Sequence, residues 1–155
     1  MKSIILYHSI HHGNTKRIAE VFSKILRSEI VDIQKPFSLN IEDYDLIGLG
    51  SGIYFLKHSQ HLLNCVQKWP EVTSKKTFIF STRGAGSYIK HHRALRKILH
   101  DKGVQIIDEF SCKGFDSVGP LKLIGGINRG RPDEKDLKRA EYFAIKLLSD
   151  LKNVK

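Results

Sequence analysis

The chain has 155 residues, a length that suits one domain spanning all of it, and 41% are hydrophobic, enough to bury a packed core and to exclude wholesale disorder. No apolar run is long enough to span a bilayer, and Cys65 and Cys112 stand far apart with no Cys-x-x-Cys partner, so neither a disulfide framework nor a structural zinc site is expected and a reducing cytoplasm is the natural setting. Lys and Arg number 26 against 16 Asp and Glu, a net charge of +10, so the surface either attracts an acidic partner or merely solvates the chain.

The opening MKSIILYHSI has one Lys and an apolar run that breaks at His8, with no small-residue cleavage site after it. It reads as a strand from Ser3 to His8 and not as a signal peptide. From Asn14 to Ser28, apolar residues fall at Ile18, Val21, Phe22, Ile25 and Leu26, the spacing of an amphipathic helix. Glu29 to Ile33 alternates like a half-buried strand, and Tyr44 to Gly50 reads as a strand ending in glycine. Between these two strands no regular helix is evident. Lys57 to Trp69 is predicted helical and stops at Pro70. Lys76 to Thr82 is a buried strand, Ile89 to Lys102 a basic helix closed by Gly103, and Val104 to Phe110 a fifth strand. A last helix, Asp133 to Lys152, carries Ala140, Phe143, Ala144, Leu147, Leu148 and Leu151 as its stripe.

The alternation implies a three-layer, doubly wound α/β fold. A five-stranded parallel sheet in the order 2-1-3-4-5 lies between helices on both faces. Ligands in such folds sit beyond the carboxyl ends of the strands, so the loops there hold the candidate site. After the first strand come Ser9, Ile10, His11, His12, Gly13, Asn14 and Thr15, a run of hydroxyl and amide donors that opens directly into a helix. A helix N-terminus with free N–H groups suits a phosphate. The run has neither a GK[ST] ending nor a GxGxxG pattern, and its histidines have no carboxylate or thiol beside them to suggest a metal. The plainer alternative is a strand–helix turn capped by Asn14. After the third strand come Ser51, Gly52, Ile53, Tyr54 and Phe55; after the fourth, Ser81, Thr82, Arg83, Gly84, Ala85 and Gly86.

Tyr7-x-Ser9 followed by Gly13-Asn14-Thr15 resembles the phosphate loop of the flavodoxin family, one residue longer than usual. The three loops taken in this order extend the resemblance over essentially the whole chain. It implies FMN as cofactor, with its phosphate on the first loop, its flat ring against Tyr54 and its polar edge near residues 81–86. The alternative for the aromatic pair is that Tyr54 or Phe55 caps the core. In many flavodoxins a glycine beside the flavin lets a peptide turn over on reduction. Here Phe55 and Leu56 stand instead, and a bulky residue at positive φ costs roughly 1–2 kcal/mol. From Ser111 to Pro132 the chain is rich in glycine and is expected to be irregular, either as a functional loop or as an extended surface connection.

The resemblance implies an FMN-binding electron carrier of the flavodoxin type. It would have no catalytic residue of its own and would pass electrons to redox partner proteins; no metal is expected, and the net charge of +10 points to partners of acidic character. An FMN-dependent oxidoreductase acting on NAD(P)H or quinones is the alternative. A non-redox module using the basic stretch from Arg83 to Lys102 is a third, although no specific nucleic-acid motif is present.

Overall fold

A computed structural model describes residues 1–72 and 74–153. The elements in chain order are β1 (Ser3–His8), α1 (Asn14–Leu26), β2 (Glu29–Asp32), β3 (Leu46–Tyr54), β4 (Lys57–His58), α2 (Gln60–Gln67), β5 (Lys76–Arg83), α3 (Tyr88–His91), α4 (Arg93–Asp101), β6 (Gln105–Lys113) and α5 (Glu134–Asn153). Short 3-10 turns occupy Ile41–Asp43, where no regular helix was expected, and Gly119–Ile124.

The sheet runs β2-β1-β3-β5-β6, all parallel, and the two-residue β4 folds back antiparallel on the end of β3. With β4 set aside, this is the anticipated 2-1-3-4-5 order of a flavodoxin-like fold. Central strands covered on both faces read as continuous apolar runs, and every residue of β1 is buried. Successive side chains point to opposite faces. Ile4, Leu6, Ile47, Leu49 and Ile79 pack with Leu62, Val66, Leu95 and Leu99 from α2 and α4. Ile5, Tyr7, Phe78, Phe80 and Phe110 pack with Ile18, Phe22, Ala140 and Ala144 from α1 and α5. On that second face Phe22 stands edge-on to Phe78, Phe80 and Phe110, with ring centroids 5.2–5.5 Å apart. Gly50 makes room for this cluster, since a Cβ there would lie 2.2 Å from the Phe80 ring.

Several boundaries differ from the sequence reading. Strand β3 does not end at Gly50 but continues to Tyr54, because Ser51 and Gly52 pair with Ser81 and Thr82 of β5. Likewise β6 runs on to Lys113 alongside Arg83. Lys57 and His58 form β4 rather than the start of a helix. The basic helix is split at His92 into α3 and α4. Asn14 is not the cap of α1: Gly13, in the left-handed region with φ 64°, holds that place, and Asn14 is the first helical residue.

Candidate functional site

The carboxyl ends of β1, β3 and β5 and the segment after β6 enclose a cavity of about 320 Å³. Ser9, His11, Asn14 and Thr15 line it from the first loop and from α1. Gly52, Ile53, Tyr54 and Phe55 line it from β3 and its turn, and Thr82, Arg83 and Gly84 from the end of β5 and the turn after it. Most of the expected site residues thus converge on one space.

Its floor is polar. The Ser9 Oγ is buried without any hydrogen-bond partner among the described residues, and Ser9 lines the cavity together with Asn14 and Thr15 of the first turn of α1. Thr15 Oγ1 and Thr82 Oγ1 are 2.8 Å apart and join the first loop to β5. Asn14 donates from Nδ2 to the Phe115 carbonyl at 2.7 Å, which ties α1 to the segment after β6. No acidic side chain occupies the first turn of α1, so its free N–H groups and dipole are open to an anion.

The walls are aromatic. Tyr54 is half-buried, lies over Gly52 and reaches the Ile10 backbone with its hydroxyl, and burial raises the pKa of that hydroxyl. A Cβ on Gly52 would come within 2.7 Å of Tyr54 Oη, so glycine is what lets the ring lie there. Phe115 faces the same cavity and packs on His12 with ring centroids 4.2 Å apart. Phe55 lines the rim and is 97% exposed, so it does not cap the core.

The remaining expected residues are placed elsewhere. Ile10 projects into solvent, while His12 turns away to meet Ser117 Oγ at 2.7 Å. Gly13 serves the helix cap, and Ala85 and Gly86 lie in the exposed turn beyond the cavity. Ser51 and Ser81 are closed to solvent and committed to histidines: His58 Nδ1 lies 2.8 Å from Ser51 Oγ, and His92 Nε2 lies 2.7 Å from Ser81 Oγ.

The second of these pairs belongs to a network that local sequence does not announce. Burial lowers the pKa of His92, which is therefore neutral at pH 7. Its Nδ1–H donates to Glu109 Oε2 at 2.6 Å, and its Nε2 accepts from the Ser81 hydroxyl. Ser81 Oγ in turn lies 2.9 Å from Ser111 Oγ, which accepts from Arg83 Nε at 3.2 Å. Glu109 also accepts from Arg96 Nε and Nη2. Burial opposes its charge, yet the hydrogen bonds from His92 and Arg96 outweigh burial and hold its carboxyl down at about 2. Serine, histidine and glutamate in this order resemble a nucleophilic triad, but Ser81 is wholly buried. The geometry instead braces Arg83, which also donates to the Gly86 carbonyl at 2.8 Å and so pins the turn after β5.

Sequence reasoning missed Gly114, Phe115, Asp116, Val118, Gly119 and Pro120, which close the fourth side of the cavity. Their signal was the glycine-rich length of the segment, which pointed to function but to no particular residue.

A parallel sheet in this order, with a cavity of polar floor and aromatic walls at its carboxyl end, defines a flavodoxin-fold ligand-binding protein. Residues 4–115 match the family model described as "Flavodoxin domain", and the chain belongs to that family. It is 45% identical to the uncharacterized protein MJ0298 of Methanocaldococcus jannaschii over 97% of this chain and 100% of that one. Its fold is similar to oxidised flavodoxin 1 of Bacillus cereus, with TM-score 0.69 and 16% identity over 96% of this chain and 98% of that one. It is also similar to rubredoxin:oxygen oxidoreductase of Desulfovibrio gigas, with TM-score 0.74 and 15% identity, covering 98% of this chain but 36% of that one.

Proposed function

We propose that the chain binds FMN in this cavity and serves as an electron-transfer protein of the flavodoxin type. The observation that carries the reading is the buried Ser9 Oγ, without a hydrogen-bond partner among the described residues, in the cavity that the open first turn of α1 also lines. A buried hydroxyl without a partner is costly, and a phosphate oxygen there would satisfy it together with the helix N–H groups. FMN, when bound, supplies a centre that takes up and releases electrons. The residues of the chain bind and orient it. Ser9, Asn14 and Thr15 hold the phosphate, Tyr54 offers its ring as an apolar wall, and the backbone of residues 82–84, steadied by Arg83, meets the polar edge. The loops around the mouth are basic, so a negatively charged partner is steered toward it and association slows as salt rises. Two free thiols, Cys65 and Cys112, suit a cytoplasmic setting.

Calorimetry with FMN, riboflavin and FAD tests the assignment. FMN should bind at one per chain and more tightly than riboflavin, which lacks the phosphate, or FAD, which carries an extra adenylate. Ser9→Ala should narrow the FMN–riboflavin gap, and Tyr54→Ala should weaken both while raising residual flavin fluorescence. Riboflavin binding as tightly as FMN would rule out the phosphate site.

A further inference from the structure

We propose that the loop face around the cavity mouth docks on an anionic lipid bilayer. Three loops that touch one another carry protruding apolar tips. Ile10 is 54% exposed, Phe55 and Leu56 are 97% and 74% exposed, and Leu123 and Ile124 are 91% and 71% exposed. The loops are joined by the contact of His11 with Tyr54 and by that of His12 with Phe115 and Ser117. Phe55 lines the cavity, so a cofactor there would cover part of it. Ile10, Leu56, Leu123 and Ile124 lie outside the lining and remain exposed whether or not the cavity is filled.

The Phe55–Leu56 tip is also strained. These are the two central residues of the β3–β4 hairpin, and both have positive φ, 49° and 63°. Turns of this kind favour Asn-Gly. A Phe and a Leu here gain nothing from burial in the free protein to offset their backbone cost, so their role is sought in what they meet.

The charge of the same face selects the partner. Across residues 9–13, 54–59, 83–92 and 113–131 there are seven Lys and Arg residues and one acid, Asp116; of the seven, Arg131 is paired with Asp133 and Asp136. Lys57, Lys90, Lys113 and Lys122 are exposed, and none has a carboxylate partner among the described residues. One or two apolar side chains at the end of each of three separate loops, with lysines beside them, suit a deformable layer of acyl chains beneath negative headgroups. A rigid acidic protein would need a continuous complementary surface instead. Docking does not depend on FMN being bound.

Co-sedimentation of the full chain with phosphatidylcholine vesicles, with and without phosphatidylglycerol, tests the proposal. Binding should require phosphatidylglycerol and weaken as salt rises. The Leu56→Ser/Leu123→Ser double variant should keep its circular dichroism and lose about tenfold or more in partitioning. Trp69 is the sole tryptophan and is buried, so a Leu123→Trp variant should show a blue shift on phosphatidylglycerol vesicles that the parent lacks. Absence of phosphatidylglycerol-dependent binding overturns the proposal. So does undiminished binding by the double variant, which would mark a general polyanion surface. Self-association lost in the double variant, without vesicle binding, would make the face a contact between copies and equally overturn it.

Discussion

Glu109→Gln removes the charge at the centre of the His92–Arg96 network while keeping the shape of the side chain. The Glu109 carboxyl moves from the ordinary 4.5 to about 2 on folding. At about 1.4 kcal/mol per pKa unit the full shift corresponds to roughly 3 kcal/mol. The side chain is 16% exposed, so solvent screening trims this, and the expected loss at pH 7 is about 2–3 kcal/mol. The sign follows from the depressed pKa. The contribution is present in full above 4.5 and disappears as the pH falls from there through about 2. Urea unfolding of parent and variant should therefore show a wide gap at pH 7 that narrows below pH 4.5. A variant within about 0.5 kcal/mol of the parent at pH 7, or a gap that stays constant as the pH falls, would refute the assignment of Glu109 as a buried anion stabilised by His92 and Arg96.

Leu56→Gly should relieve the left-handed strain at an exposed position and raise the thermal midpoint by about 2–4 °C; a lower midpoint would show that Leu56 is not strained. Gly50→Ala places a methyl group 2.2 Å from the Phe80 ring and should cost about 1–3 kcal/mol in urea unfolding, whereas an unchanged midpoint would mean that the aromatic cluster yields freely. Burial pushes the Cys112 thiol up to about 12. At pH 8 a thiol reagent should therefore modify the half-buried Cys65 first and reach Cys112 only on unfolding, and equal labelling rates in the native protein would contradict this.

Much of the architecture was legible in the chain itself. Apolar spacing of three and four residues marked α1, and unbroken apolar runs marked β1 and β5. Those periods are properties of neighbours along the sequence, and the right-handed crossover between parallel strands then leaves few arrangements open. The three loops at the carboxyl ends were legible as loops for the same reason, since each is continuous in sequence with the strand it follows, and the first also with the helix it opens. The tertiary structure alone decided what depends on partners far along the chain. Ser51 to Tyr54 looked like a loop because of its small residues, yet all of it is strand because Ser51 and Gly52 pair with Ser81 and Thr82, and Ile53 and Tyr54 with His58 and Lys57. Ser51 and Ser81 look like ligand donors in isolation, but packing turns their hydroxyls onto His58 and His92 and shuts them from solvent. Phe115 and Asp116 reach the cavity through partners far along the chain, among them Asn14, which donates to the Phe115 carbonyl 101 residues away, and His12, which meets Phe115 and Ser117. A buried hydroxyl or carbonyl takes whichever partner the folded chain brings within about 3 Å, and no local pattern of residues specifies which one that will be.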